Sequence, residues 1–276
     1  DNDVTAATAS ILSTSVNYEQ AKADGSRYQR AKQPQLIWMI HQIKHVIDSH
    51  PNWNKGRPLQ IVDIGGGKGH LSNLIAEYFG PDMVQVRVVD ISFGAIRNGE
   101  MKAKRRMLSN IQYRVQDATT LLPNEKNDQK PKQPRRYDDD NNNTDDDDDD
   151  VDIVVGLHAC GTLTDIALNY ATSHRAAFVI CPCCYLSNQH LPMIGRHQTA
   201  VEWLRVPPKS IADYRTLLQL AELQGDLQTS SQASHSICAV RASAVQHYYN
   251  NNNNNHHHQL HNNNNNNNNN TDLTIS

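Results

Sequence analysis

A glycine-rich segment near the first third of the chain has the residue types and spacing of a ligand-binding turn. One acid, Asp63, is followed at every second position by Gly65, Gly67 and Gly69. Glycine has no Cβ, so such a turn lets the backbone approach a ligand closely. The spacing matches neither a Walker A loop nor G-x-G-x-x-G, whose third glycine position holds His70. The pattern D-x-G-x-G-x-G favours a different ligand, and a glycine turn without any ligand is the alternative.

Two further acids stand at the ends of the next two predicted strands. Asp90 follows the apolar run 84–89, and Asp117 follows the run 111–116. A carboxylate at the first position can accept from both ribose hydroxyls of an adenosine, and one at the second can accept from the adenine amine. The alternatives are a solvated acid and an Asx-type turn. With the glycine turn, these acids predict an S-adenosylmethionine site, with these cofactor-binding candidates: Asp63, Gly65, Gly67, Gly69, Asp90 and Asp117.

A second group of chemically active side chains follows the fourth and fifth predicted strands. His158 can act as a general base near neutral pH, or can be a packed residue that fixes the turn. Its turn lacks the [DN]-P-P-[YFW] pattern of adenine amino-group methylases, which disfavours exocyclic amine chemistry of that type. Tyr185 can stack on a base or pack in the core. The candidate catalytic residues are His158, Cys160, Cys183, Cys184 and Tyr185.

The cysteines allow three interpretations, all open at this point. If the fourth and fifth strands are neighbours, Cys160 approaches Cys183 and Cys184, and sulfur ligands suit zinc. The spacings H-x-C and C-x-C-C match no familiar zinc-ribbon pattern, so we assign no metal ligand. A thiol at each of two strand ends also resembles the 5-methylcytosine RNA methyltransferases, in which a thiolate attacks the ring. The third interpretation is that the cysteines pack as small apolar residues.

The elements that position these residues alternate between strand and helix. Runs of apolar residues without polar alternation predict a parallel sheet covered on both faces, whose ligands lie beyond the carboxyl ends of its strands. Thr162 and Asp165 have the spacing of a helix capping box. Strands are predicted at 59–64, 84–89, 111–116, 151–157 and 176–180, and helices at 18–49, 70–79, 92–108, 211–223 and 232–249.

The charge of the chain is uneven. The formal net charge is −3, with 26 Lys and Arg against 29 Asp and Glu. Without the nine aspartates of 138–140 and 145–150, 26 basic residues face 20 acidic ones, a balance of +6 that is compatible with nucleic acid. No apolar run approaches the ~20 residues of a membrane span. Five cysteines, three of them within four positions, do not form a disulfide framework, so we expect an intracellular, cytoplasmic or nuclear protein.

Two segments lack the apolar content to offset the entropy of the chain. Residues 122–150 are rich in Asp, Asn, Lys and Pro, and residues 250–270 are nearly all Asn and His. We therefore predict a poorly ordered N-terminal extension (1–24), a domain at 25–248 with a disordered acidic insert, and a low-complexity tail (249–276).

Four segments together carry a family resemblance: 30–36, 62–72, 158–165 and 177–185. They resemble the methyltransferase-domain family that includes glutathione S-transferase C-terminal domain-containing proteins and, more distantly, the tRNA acceptor-stem ribose methyltransferases. The resemblance implies an α/β, Rossmann-like class I methyltransferase fold, S-adenosylmethionine as cofactor, and RNA, with tRNA favoured, as substrate. A catalytically silent protein that binds RNA or a protein partner is the alternative function. The C-terminal strand hairpin of that fold is expected to be truncated, because only 271–276 follows the Asn/His tract.

Overall fold

The structure is a computed structural model that describes residues 32–52, 56–121, 150–185, 211–243 and 245–246. The predicted N-terminal extension, the first part of the helix predicted at 18–49, nearly all of the acidic insert and the low-complexity tail lie outside these residues. The chain divides into two compact units, 1–196 and 197–276. No helix among the described residues is long and apolar enough to cross a membrane.

The first unit contains a five-stranded parallel sheet in the order β3-β2-β1-β4-β5. All five predicted strands are present, and their observed ends lie within two residues of the predicted ends. This arrangement confirms the α/β, Rossmann-like class. The strands are β1 (Leu59–Ile64), β2 (Val84–Asp90), β3 (Ile111–Val115), β4 (Ile153–Leu157) and β5 (Ala177–Cys181); the helices are α1 (Gln33–Ser49), α2 (His70–Phe79), α3 (Phe93–Arg105) and α4 (Thr162–Ser173), with a 3₁₀ turn at Ala118–Leu121.

Both faces of the sheet are covered, because successive side chains of a strand point to opposite faces. In β1, Ile61 packs in one core cluster with Ile40 of α1 and Leu74 of α2. The next residue, Val62, packs in a second cluster with Ile166 of α4. The alternation places Asp63 on the same face as α2.

The prediction that every strand is a buried run is wrong for the two edges of the sheet. All residues of β1 except one are buried, whereas β3 has no buried residue and β5 has one. An edge strand has only one neighbouring strand, so helices cover less of its surface. The sequence of β3 alternates apolar Ile111, Tyr113 and Val115 with polar residues, which is typical of a strand with one face in solvent and which the prediction overlooked.

The predicted capping box at the start of α4 is also wrong. Gly161 is the N-cap, with a φ of 56°, and no side chain caps the helix. Thr162 is therefore already inside the first turn. The hydroxyl of Thr164 instead donates to the Ala159 carbonyl, which ties the helix to the turn after β4.

A buried acid, Asp152, lies just before β4 and links the amino ends of two central strands. Its carboxylate accepts from Arg57 (Nη1 to Oδ2, 2.6 Å), from Asn52 (Nδ2 to Oδ1, 2.9 Å) and from the backbone N–H of Gln60 (2.8 Å). Burial alone raises the pKa of this carboxyl, but the donated hydrogen bonds outweigh it and hold the pKa below its usual range. This network joins β1 and β4 at their amino ends.

The second unit contains a helix, α5 (Ile211–Ala221), and a further helical stretch at 227–243. The two are linked where the Ser230 hydroxyl donates to the Ala221 carbonyl at 2.7 Å. Ala233 and Ile237 are buried in the second stretch. The first helix agrees with the helix predicted at 211–223, and the second stretch begins five residues before the helix predicted at 232–249.

Candidate functional site

The glycine loop at the carboxyl end of β1 needs left-handed backbone at three positions. Gly65, Gly67 and Gly69 have φ values of 73°, 56° and 64°, a region that other residues enter at a cost of about 1–2 kcal/mol. Gly69 is the N-cap of α2, and its carbonyl accepts from the N–H of Asn73 at 2.9 Å. The loop thus connects β1 to α2 and lies beside the positive, N-terminal end of the α2 dipole.

Asp63 lies beneath this loop rather than on its surface, with only 1% of its area exposed. Its Oδ2 accepts from the Ser72 hydroxyl, and its Oδ1 has no hydrogen-bond partner within the described part of the chain. A Cβ on Gly66 would come within 2.6 Å of Oδ2, so only glycine fits above this carboxyl. Burial raises the pKa of Asp63 to about 7, against the lowering effect of Ser72, while Asp90 raises it further.

Asp90 connects the end of β2 to the loop. Its Oδ2 accepts from the N–H of Gly67 at 2.9 Å, and its Oδ1 accepts from the N–H of Ser92 at 2.8 Å. Ser92 in turn caps α3 through the N–H of Ala95. Asp90 is half-buried, so its carboxylate combines a fixed orientation with a face open to a ligand. Each oxygen keeps a second acceptor site, as a contact with two hydroxyls requires.

Asp117 forms the turn that the sequence analysis gave as its alternative. Its Oδ1 accepts from the N–H of Thr119 at 2.9 Å, and its carbonyl accepts from the N–H of Thr120 at 3.0 Å. The turn starts the 3₁₀ helix after β3. This geometry fixes the position of the carboxyl at the third strand end, and its adenine contact stays a prediction.

One residue that sequence reasoning missed is Tyr113 of β3. Its ring lies against Gly69 of the loop and Gly99 of α3, where a Cβ at either glycine would overlap it. The same absence of Cβ on Gly99 lets the Lys68 carbonyl approach α3. Burial raises the pKa of the Tyr113 hydroxyl, which stays protonated at neutral pH. A glycine inside a helix was the sequence signal for this close approach.

A cluster of basic side chains lies where the loop meets α3. The Nζ of Lys102 is 3.3 Å from Nε2 of His70, the first residue of α2. Desolvation first, and then the charges of Lys102, Lys32, Lys68 and Arg106, lower the pKa of His70 to about 4. Desolvation and its cationic neighbours also lower the pKa of Lys102. We call these five residues the cation cluster; at neutral pH its charges are those of the three lysines and Arg106, and Arg106 lies 3.5 Å from the Glu77 carboxylate.

The candidate catalytic residues follow β4 and β5, on what we call the acceptor side of the sheet. They lie across from the glycine loop, at the point where the order of the strands reverses. The loop follows β1 and the His158 turn follows β4, its neighbour, so the two connections lead to opposite faces, which is where ligands bind in such sheets. Leu163 at the start of α4 touches Gly65 of the loop. His158 is exposed, with a left-handed φ of 65°, and desolvation followed by the charge of Lys32 lowers its pKa.

The structure brings together three of the predicted cysteines. The Sγ of Cys160 is 2.9 Å from that of Cys183 and 2.8 Å from that of Cys184, as expected from the pairing of β4 with β5. Burial and their mutual proximity raise the pKa of the Cys183 thiol, and burial is the main cause of the raised pKa of Cys160. Tyr185 is half-buried one position further on.

The residues at the first two strand ends fit an adenosylmethionine. The loop backbone is bent by glycines and leaves the Cβ position of Gly67 free of contacts closer than 3.8 Å. Asp90 presents a fixed, half-exposed carboxylate beside it. Asp63 lies beneath the loop with one oxygen that has no partner among the described residues, and its contact with the amino group of the cofactor stays a prediction. S-adenosylmethionine carries no phosphate, so the loop needs no lysine of the Walker A type.

Comparison with known proteins gives the family. Residues 31–189 match the model of a methyltransferase domain. Glutathione S-transferase C-terminal domain-containing protein of Homo sapiens is 53% identical over 176 residues, which are 63% of this chain and 22% of that protein. The homolog of Drosophila melanogaster is 55% identical over 43 residues, 16% of this chain and 7% of that protein. The chain thus spans a minor part of the length of these relatives.

Two solved structures follow a partly similar course of the chain. Magnesium protoporphyrin IX methyltransferase from Synechocystis PCC 6803, solved with bound SAM, has 16% identity and a TM-score of 0.30, covering 60% of this chain and 62% of that one. Coclaurine N-methyltransferase, solved with SAH, has 14% identity and a TM-score of 0.33, covering 53% of this chain and 35% of that one. By the match of more than half its length to the domain model, the chain belongs to the methyltransferase-domain family.

Proposed function

We propose that this chain is an S-adenosylmethionine-dependent methyltransferase that acts on RNA, with tRNA as the favoured class. Membership of the methyltransferase family supports methyl transfer. The observation that carries the RNA proposal is the cation cluster, which lies beside the cofactor loop and lowers the pKa of its own His70 and Lys102. The resemblance to tRNA acceptor-stem ribose methyltransferases favours tRNA among RNAs.

Each of the cofactor-side residues has a distinct task. The backbone of the glycine loop and the start of α2 receive the amino-acid end of the cofactor, where the helix dipole favours its carboxylate. Asp90 accepts from the ribose hydroxyls, and Asp117 accepts from the adenine amine. When bound, S-adenosylmethionine supplies an electrophilic methyl group on a sulfonium. The protein then contributes by holding donor and acceptor in line, which in well-oriented model systems supplies up to about 7–11 kcal/mol.

His158 is the residue we assign to proton transfer on the acceptor side. Its lowered pKa keeps the ring neutral at pH 7, so that it can accept a proton from the hydroxyl or amine that takes the methyl group. Lys32, a member of the cation cluster, lowers the pKa of both His70 and His158, so the cluster extends toward the acceptor side. The raised pKa values of Cys160 and Cys183 disfavour the covalent cytosine route, which requires a thiolate.

The cation cluster suits the phosphates of RNA because only part of its positive charge is compensated, by Glu77, which lies 3.5 Å from Arg106. Within the described residues, Lys68 and Lys102 form no ion pair with a carboxylate, whereas Lys104, on the same helix as Lys102, pairs with Glu100 at 3.2 Å. Each phosphate contact by such a side chain releases a counterion and makes binding salt-dependent. The cluster therefore predicts RNA binding that weakens steeply with salt.

The test of the reaction uses the full chain, labelled S-adenosylmethionine and separate pools of tRNA, ribosomal RNA and protein. The proposal predicts label in the tRNA pool, removed by ribonuclease and absent with Asp90→Ala. Binding of RNA without any transfer supports the silent RNA-binding alternative instead. Transfer to protein or to small molecules, with none to RNA, overturns the RNA proposal while leaving the family assignment intact.

The test of the RNA surface compares two variants of the same helix region. Lys68→Ala combined with Lys102→Ala is expected to weaken tRNA binding by about tenfold or more, and to reduce the slope of log affinity against log salt by about 1.5. Lys104→Ala is the matched control, since it removes an exposed charge of α3 that is already paired. Equal effects of the double variant and the control would show that the cluster is not the RNA contact.

A further inference from the structure

Three thiols converge at one point between the ends of β4 and β5. The Sγ atoms of Cys160, Cys183 and Cys184 are separated by 2.8, 2.9 and 3.4 Å, so each sulfur contacts both others. Cys183 is exposed and the other two are half-buried, which leaves one side of the group open to solvent. Among the described residues, these three form a group whose ligand atoms lie within 4.8 Å of one another.

The backbone, rather than the sulfurs, holds the two turns in this register. The N–H of Gly161 donates to the Cys184 carbonyl at 3.0 Å, and the N–H of His158 donates to the Cys181 carbonyl at 3.0 Å. His158 and Gly161 both have left-handed φ values, of 65° and 56°. The convergence of the thiols therefore follows from specific turns that are anchored to each other at two points.

Two thiols this close can form a disulfide, but a disulfide cannot include all three sulfurs. A disulfide joins two sulfurs at about 2.05 Å and leaves the third thiol beside it unused. A metal ion uses all three. Tetrahedral zinc with Zn–S bonds of about 2.3 Å separates its sulfur ligands by about 3.8 Å. The observed separations of 2.8–3.4 Å reach that value when each pair moves apart by about 1 Å or less, which rotation about Cα–Cβ bonds provides.

We propose that Cys160, Cys183 and Cys184 bind one zinc ion, with a fourth position open to solvent. Soft thiolate ligands select zinc among the common divalent ions of cells. Binding displaces the three thiol protons, which leave to solvent, and each sulfur then donates an electron pair to the metal. The ion clamps the turn after β4 to the turn after β5, on the acceptor side of the sheet. This site does not depend on methyl transfer or on RNA.

The experiment measures zinc in the purified full chain after dialysis. The tail contains the run His256, His257 and His258, which binds divalent metals on its own account, so all proteins carry these three changed to Asn. The proposal predicts about one zinc per chain. Cys160→Ser, Cys183→Ser and Cys184→Ser each lose it. Cys238→Ser, which changes an exposed cysteine of the second unit, keeps it.

A second measurement needs no variant of the site, so it covers the case in which a cysteine variant fails to fold. Replacement of zinc by cobalt in the protein with intact cysteines is expected to give thiolate-to-cobalt charge-transfer absorption. Zinc retained by the triple cysteine variant would overturn the proposal, because the metal would then lie elsewhere. Absence of zinc and of the cobalt signal would overturn it as well, and two thiols missing from a titration under denaturing, non-reducing conditions would identify a disulfide instead.

Discussion

Asp63 offers a test of the loop that needs no ligand. The carboxyl group is fully buried beneath the glycine loop, and one of its oxygens has no partner among the described residues. Because burial raises its pKa to about 7, the folded protein retains a proton that the unfolded chain loses near its ordinary value of 3.8. Replacement by asparagine keeps the shape and removes the titration.

The sign and size of the effect follow from proton linkage. Between about pH 4 and pH 7 the unfolded state binds fewer protons than the folded state, so the free energy of unfolding falls as pH rises. The shift from 3.8 to about 7, at about 1.4 kcal/mol per pH unit, amounts to about 4 kcal/mol. In the wild type this loss of unfolding free energy is absent below pH 3.8 and complete above about pH 7. Asp63→Asn does not show the loss.

Urea unfolding followed by circular dichroism measures this difference in the full chain. From about pH 4 to about pH 8, Asp63→Asn is expected to gain about 4 kcal/mol relative to wild type. Asp82→Asn, which changes an exposed acid in the turn before β2, is the control and is expected to show a nearly constant difference from wild type. A wild-type protein that gains stability relative to Asp63→Asn as pH rises would refute the buried, protonated carboxyl.

Two further substitutions test the packing around the sheet. Gly66→Ala places a Cβ 2.6 Å from Asp63 Oδ2 and is expected to lower the free energy of unfolding by about 3 kcal/mol. The control Gly94→Ala, near the start of α3 with open space around its Cβ, is expected to leave that free energy nearly unchanged. Equal costs of the two substitutions in chemical unfolding would contradict the close approach of Gly66 to Asp63. Asp152→Asn is expected to cost about 2 kcal/mol at pH 7 through the weakened pairing with Arg57. Since the pKa of Asp152 is lowered, this advantage of wild type shrinks as pH falls below 3.8, and a cost independent of pH would count against the pair.

The parts of the fold that depend on local pattern were predictable. Apolar β-branched runs, each followed by a helix, located all five strands, and the left-handed turn at Gly65 to Gly69 followed from glycine spacing alone. The approach of Cys160 to Cys183 needed only the adjacency of β4 and β5. Each of these features is encoded within a few residues or in a regular property of parallel sheets.

The parts that depend on distant residues were not predictable. The burial of Asp63 requires Ser72 and the packing of α2, and the exposure of β3 depends on its place at the edge of the sheet. The cation cluster brings Lys32 close to residues that stand 36 or more positions later in the sequence: Lys68, His70, Lys102 and Arg106. Tertiary packing decides which of these distant residues meet, and a single sequence does not show how its elements pack.

Calorimetric titration of the full chain with S-adenosylmethionine measures whether the loop after β1 and the acid of β2 form one cofactor site. We expect heat from one site in the wild type and a loss of affinity of at least about tenfold in Asp90→Ala, which removes the partner of the Gly67 N–H and an acceptor for the ribose. Asp82→Ala, in the exposed turn before β2, should bind as the wild type does. A folded wild-type protein that gives no heat would show that the loop and Asp90 do not form this cofactor site.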